Sequence, residues 1–169
     1  MIITITGASG VGKTSTLKEL SKNLPDNINL KIFHTDEIIN PNWDEIEDTK
    51  KWQEETTFEL VDMSVKTAID ENIHVLLESS TEIKFYIQGF EKNNYLDYKI
   101  LLFDCSQETI KNRLIQRGQP ELFHSDMINW LNYLRREAIE RNIEIIKTDN
   151  ATFEEIGQKI IEELNQKTN

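Results

Sequence analysis

Short apolar runs alternate with stretches of helical periodicity along the whole chain. "IITIT" (2–6) reads as a first strand, and Leu17, Leu20 and Leu24 then recur at helical spacing before Pro25. "LKIFHT" (30–35) predicts a second strand, and the acidic stretch 36–48, broken by Pro41, a loop or short helix. A long helix is expected over 49–72, with Trp52, Thr56, Leu60 and Met63 along one face. "HVLLE" (74–78) is apolar enough for a strand buried on both faces. A helix over 82–93 leads to "YKILLFD" (98–104), a fourth strand. "SQETIKNRLIQRG" (106–118) has Ser106 and Thr109 to cap its start and Gly118 to close it. Met127, Trp130, Leu131, Leu134 and Ala138 mark the next helix. "IEIIKT" (143–148) is a fifth strand, and Phe153, Ile156, Ile160 and Leu164 line a last helix.

Buried strands alternating with helices predict a five-stranded parallel sheet with helices on both sides, a three-layer α/β/α architecture. No repeat, low-complexity tract or long linker breaks the pattern, so residues 1–169 are expected to form one domain.

Composition narrows the partners. The chain carries 19 Lys+Arg against 30 Asp+Glu, a formal net charge of −11, which would repel nucleic acid. No apolar run approaches the roughly 20 residues that cross a bilayer. The first residues lead directly into a motif, so no signal peptide is expected, and the single cysteine, Cys105, allows no internal disulfide. A cytoplasmic setting is expected. The positive charge is unevenly placed: all five arginines (Arg113, Arg117, Arg135, Arg136 and Arg141) fall between residues 113 and 141. Residues 36–62 hold ten acids and two lysines.

Gly7-Ala8-Ser9-Gly10-Val11-Gly12-Lys13-Thr14 satisfies G-x-x-x-x-G-K-[ST], with a strand before it and a helix, opened by Thr14 and Ser15, after it. Glycines allow successive N–H groups to turn toward an anion, and the helix dipole adds to them. Lys13 can reach the β- and γ-phosphates, and the Thr14 hydroxyl can ligate Mg²⁺. ATP and Mg²⁺ are the expected cofactors.

With that motif in place, the sequence resembles the P-loop small-molecule and nucleotide kinases, in particular the gluconate, shikimate and adenylate kinase group. Three further segments carry the resemblance: "HTDEI" (34–38), "SQETIKNRLIQRG" and "IEIIKTDNATFEEIGQKIIEEL". It implies the sheet order 2-3-1-4-5, a helical lid over about 118–141, and a nucleotide-side loop at Asp149 and Asn150. It also implies that Arg113 lies against the adenine ring and that Arg117 reaches the phosphates. These two arginines are four apart on a predicted helix and so leave the same face. Arg135 or Arg136 is a candidate for delivery to the phosphates from the closing lid; being adjacent, they cannot both point there.

Asp36, just beyond the second strand, lies where ligands of open parallel sheets bind. It is the candidate general base, or a carboxylate holding Mg²⁺ through water, with Glu37 as the alternative. Glu78, ending an apolar strand, is a candidate metal-side carboxylate. Ser79 and Lys84 are candidates for the acceptor pocket, although turn and helix-cap roles are the commoner fate of "SST" (79–81). His34, His74, His124 and Cys105 read as structural.

Nucleoside-monophosphate kinases grip a second phosphate, and shikimate kinases a carboxylate, with arginines in the acceptor half. This chain has no arginine before 113. A small neutral or cationic hydroxyl compound is therefore the expected acceptor: a sugar, a nucleoside or an antibiotic-like molecule. The competing readings are a P-loop hydrolase or switch, a nucleotide-binding module, and a nucleotide or polynucleotide kinase. An N/TKxD base-specificity signature, as a switch would carry, is absent from the sequence.

Overall fold

The computed structural model describes residues 1–39 and 46–168, and of residues 36, 37 and 166–168 the backbone alone. Pro41 and the other residues of 40–45 therefore lie outside the described residues, as do the side chains of Asp36 and Glu37.

The elements run β1 (Ile2–Thr6), α1 (Lys13–Lys22), β2 (Leu30–His34), α2 (Thr35–Ile38), α3 (Thr49–Asp70), β3 (His74–Glu78) and α4 (Ile83–Lys92). They continue with β4 (Tyr98–Asp104), α5 (Gln107–Gln116), a 3₁₀ turn (Pro120–Leu122), α6 (Ser125–Glu140), β5 (Glu144–Lys147) and α7 (Phe153–Thr168). The five strands form one all-parallel sheet in the order β2-β3-β1-β4-β5. Both the strand set and its order agree with the sequence reading.

Side chains alternate across a strand, and the core divides accordingly. Ile3 and Ile5 of β1 join Leu76, Leu101 and Phe103 under α1, α5 and α7, where Leu17, Leu20, Ile110, Leu114, Ile156 and Ile160 complete one cluster. Ile2, Val75, Leu77, Ile100 and Leu102 face the other way, against Leu60, Val61 and Val65 of α3, Tyr86 and Phe90 of α4, and Leu134 and Ala138 of α6.

Local differences have local reasons. β2 ends at His34 because Thr35 already begins the single turn of α2. Asp48 opens α3, its carboxylate accepting from the Lys50 and Lys51 N–H groups, as an N-cap acid should. The buried stripe of α3 is Thr57, Leu60, Val61, Ser64, Val65 and Ala68. Trp52, Thr56 and Met63, expected on that stripe with Leu60, are only partly buried. The register is set by packing on the sheet and on α4, where Gly89 permits close approach: a Cβ there would lie 3.1 Å from the Val61 side chain of α3.

Candidate phosphate-binding and transfer site

The loop between β1 and α1 holds its shape through three glycines at positive φ: Gly7 (152°), Gly10 (82°) and Gly12 (102°). At two of them the need for glycine is steric as well. A Cβ on Gly7 would lie 2.6 Å from the Phe103 carbonyl oxygen, and one on Gly12 would lie 2.5 Å from the Phe153 ring. The loop is braced from behind by its Val11 carbonyl, which accepts from Thr148 Oγ1 at 2.7 Å and from Arg113 at 3.1 Å.

Lys13 begins α1 and is largely buried. Its ammonium donates to the Gly7 carbonyl at 2.8 Å, to the Ala8 carbonyl at 3.4 Å and to Ser80 Oγ at 3.1 Å. Next to it, Thr14 Oγ1 donates to Glu78 Oε1 at 3.0 Å. The other carboxylate oxygen of Glu78 lies 2.6 Å from His34 Nδ1, a separation at which an imidazole N–H donates to a carboxylate. His34 and Glu78 face each other in register at the ends of β2 and β3, and Thr35 Oγ1 donates to the Glu78 carbonyl at 2.8 Å.

These groups line a cavity of about 790 Å³ at the carboxyl ends of the strands. One end is formed by the P-loop with Arg113, Gln116, Arg117, Thr152 and Phe153. Its opposite end is formed by His34, Thr35, Glu78, Ser79 and Ser80. Among the described residues no group of three or more His, Cys, Asp or Glu could enclose a metal ion. The fit to Mg²⁺ is of the open kind: a hydroxyl and a carboxylate side by side next to the phosphate loop, with the remaining positions left to phosphate and water.

The arginines divide. Arg113 lines the cavity, but its guanidinium is anchored: it donates to Thr148 Oγ1 at 2.9 Å and to the Thr148 carbonyl at 2.7 Å, and it lies 5.1 Å from the Phe153 ring centroid. Arg117 lines the cavity from the carboxyl end of α5, its Nε donating to Gln119 at 2.8 Å. Arg135 is not brought to the cavity. It pairs with the fully buried Asp104 at 2.8 Å and donates to the Cys105 carbonyl at 2.7 Å, with Lys147 on the same carboxylate. Arg136 is exposed beside Glu140 and Tyr133.

Lys84 also turns away from the cavity. It pairs with Glu82 at 2.5 Å, and Tyr133 Oη donates to the same carboxylate. Burial would raise the Glu82 pKa, but Lys84 and Tyr133 outweigh it and hold the group below the usual range. Asp149 accepts from the Ser106 N–H and from Thr109 Oγ1, each at 2.8 Å, and so ties the end of β5 to the start of α5. Its carboxyl loses hydration there, yet these donors and Arg113 bring its pKa below the ordinary value. Asn150 is exposed, and the cavity wall takes Ala151, Thr152 and Phe153 in its place.

Sequence reasoning underrated Ser80 and His34 and assigned Phe153 to a helix face. For His34 the signal was the strand order: once β2 is placed beside β3, the residues ending the two strands must meet. Ser80 and Phe153 had no comparable signal, because their contacts with the P-loop span 73 residues for Ser80 (to Gly7) and 141 for Phe153 (to Gly12).

Residues 3–128 match the model of an AAA domain family. The chain belongs to that family. Its fold is shared with solved structures of low identity. An unliganded sugar kinase from Janibacter sp. HTCC2649 is 18% identical, with a TM-score of 0.71 over 97% of this chain and 94% of that one. A gluconokinase from Sinorhizobium meliloti 1021 is 14% identical, with a TM-score of 0.65 over 97% and 91%. Shikimate kinase from Acinetobacter baumannii, solved with shikimate, is 14% identical, with a TM-score of 0.63 over 98% and 93%. No curated protein sequence matches the chain. Among the described residues no helix is long and apolar enough to cross a membrane.

Proposed function

We propose that the chain is an ATP-dependent phosphotransferase that moves the γ-phosphoryl group to a hydroxyl of a small neutral or cationic acceptor. The observation that carries this reading is the meeting of Lys13, Thr14 and Glu78 on one cavity whose far end is lined by hydroxyls and an imidazole. Sharing a fold with sugar, gluconate and shikimate kinases supports it.

The P-loop N–H groups hold the phosphates, and the Lys13 ammonium meets the charge that spreads over the oxygens in transfer. Thr14 and Glu78 would hold Mg²⁺, which would supply positive charge against the phosphate oxygens. Asp36 or Glu37, on α2, accepts the proton of the attacking hydroxyl. Arg117 reaches the phosphates from α5, and Arg113 with Phe153 forms the wall on which the base rests. Among the described residues lining the cavity, the cations (Lys13, Arg113 and Arg117) all belong to the nucleotide side, which disfavours a strongly anionic acceptor. The short stretch between Gly118 and α6 closes over the cavity and excludes water, while α6 itself stays fixed, its Leu131, Leu134 and Ala138 buried in the core. The chain works as a single cytoplasmic domain.

The test is transfer of label from ATP labelled in its γ-phosphoryl oxygens, with Mg²⁺ and a fractionated metabolite extract, read by mass spectrometry. A labelled organic phosphate that disappears with Lys13→Ala is the expected result and names the acceptor. Label confined to inorganic phosphate, at a rate no fraction changes, would replace this reading with a hydrolase.

A further inference from the structure

Ser80 follows β3 and reaches back to the P-loop at two points. Its hydroxyl donates to the Gly7 carbonyl at 2.6 Å and accepts from Lys13 Nζ at 3.1 Å. A hydroxyl has one proton and two lone pairs; with the proton on Gly7, a lone pair faces the ammonium. Lys13 also donates to the Gly7 carbonyl at 2.8 Å, so carbonyl, hydroxyl and ammonium form a closed triangle.

The segment that carries Ser80 is itself fixed. The Ser79 N–H donates to the Ile5 carbonyl at 3.1 Å, and Thr6 Oγ1 donates to the Thr81 carbonyl at 2.9 Å. Two residues further on, the Ile83 and Lys84 N–H groups donate to Glu137 at 2.8 Å each. Ser80 is thus a stationary stop for the end of a flexible four-carbon side chain.

Resting on the phosphotransferase reading, we propose that Ser80 is a positioning residue for Lys13, holding its ammonium at the edge of the P-loop that faces the acceptor. ATP is gripped mainly by the loop N–H groups and by the lysine donors that leave the Gly7 and Ala8 carbonyls for phosphate, so its affinity depends little on Ser80. The rate of transfer depends on it more, because charge grows on the moving phosphoryl oxygens only as transfer proceeds. The bland alternative, a turn hydroxyl that merely stabilises the loop, would not separate these two quantities.

The experiment measures total transfer of γ-phosphoryl label from MgATP, to water and to the metabolite extract, together with the Kd of a non-hydrolysable ATP analogue. Ser80→Ala is expected to lower the transfer rate roughly ten- to hundredfold, the worth of one charge-assisted hydrogen bond. Its Kd should stay within about threefold of the unsubstituted chain, and Ser80→Thr, which keeps the hydroxyl, should recover most of the rate. Ser80→Gly carries the same expectation as Ser80→Ala should the alanine variant unfold. A rate within about twofold of the unsubstituted chain, or rate and affinity falling together without rescue by threonine, overturns the proposal. Lys13→Ala keeps the two claims apart. If it retains full transfer, the P-loop transfer site on which this proposal rests fails; if it is inactive while Ser80→Ala is unaffected, only the role of Ser80 fails.

Discussion

The P-loop and the junction of α4 with α6 are both rich in charge and built in opposite ways. The P-loop takes its shape from eight consecutive residues, three of them glycines at positive φ, and presents main-chain N–H groups that need no particular side chain. The junction uses side chains that are far apart in the chain. Glu137 of α6 caps the N-terminus of α4 through Ile83 and Lys84, Tyr133 donates to Glu82, and Arg135 holds the buried Asp104 of β4. Charge in the first region faces an open cavity. In the second it is satisfied internally and fixes helix positions. The difference explains why clustered arginines are weak evidence of a phosphate site: Arg135 and Arg141 are engaged by acids of their own chain.

The comparison can be broken most directly at Lys13. Lys13→Ala is expected to reduce transfer by roughly a thousandfold or more, while the melting temperature stays nearly unchanged. Full activity in the purified, folded variant would remove the P-loop from the transfer. Arg135→Ala should do the reverse. Stranding a buried charge costs about 3–5 kcal/mol; Lys147 stays on Asp104, so the loss should lie at or below the lower end of that range, and each kcal/mol lowers Tm by about 2–4 °C in a chain of this size. Turnover per folded molecule should persist. An intact Tm with lost turnover would return Arg135 to the phosphates, as the sequence suggested.

Glu137→Ala is the smaller version of the same experiment. It strands the Ile83 and Lys84 N–H groups at a buried helix start, and a loss of about 1–3 kcal/mol in chemical denaturation is expected. No change would mean that water replaces the carboxylate. The smallest effect belongs to Asp149. Its pKa is lower in the folded chain than the ordinary value of 3.8, so the folded state binds fewer protons and stability rises with pH through that range. The stabilisation is present above the ordinary value and lost as pH falls through the lower, folded one. Thermal melts of the chain and of Asp149→Asn should therefore converge on acidification; a constant gap would remove the charge from the explanation.

The strands were legible because each is a compact apolar run, and the P-loop because its geometry requires particular residues at fixed spacing. Glu78 was legible as the acid ending such a run. Lys84 and Arg135 were read toward ligand and are turned toward Glu82 and Asp104 instead, partners 2 and 31 residues away. The helical pattern placed Lys84 and Arg135 on surfaces but gave no sign of which acid would share them.

What the sequence determined by itself is whatever depends on neighbours in the chain: period, turn chemistry, the phosphate loop and its adjoining helix. The tertiary structure alone decided which distant groups meet. It set His34 against Glu78 by pairing β2 with β3, Phe153 against Gly12 by returning α7 to the loop, and Ser80 against Lys13 by ending β3 beside β1. The reason is physical: local backbone preferences are fixed over a few residues, whereas a side chain's hydrogen-bond partner is chosen only when packing has brought the ends of separate strands together.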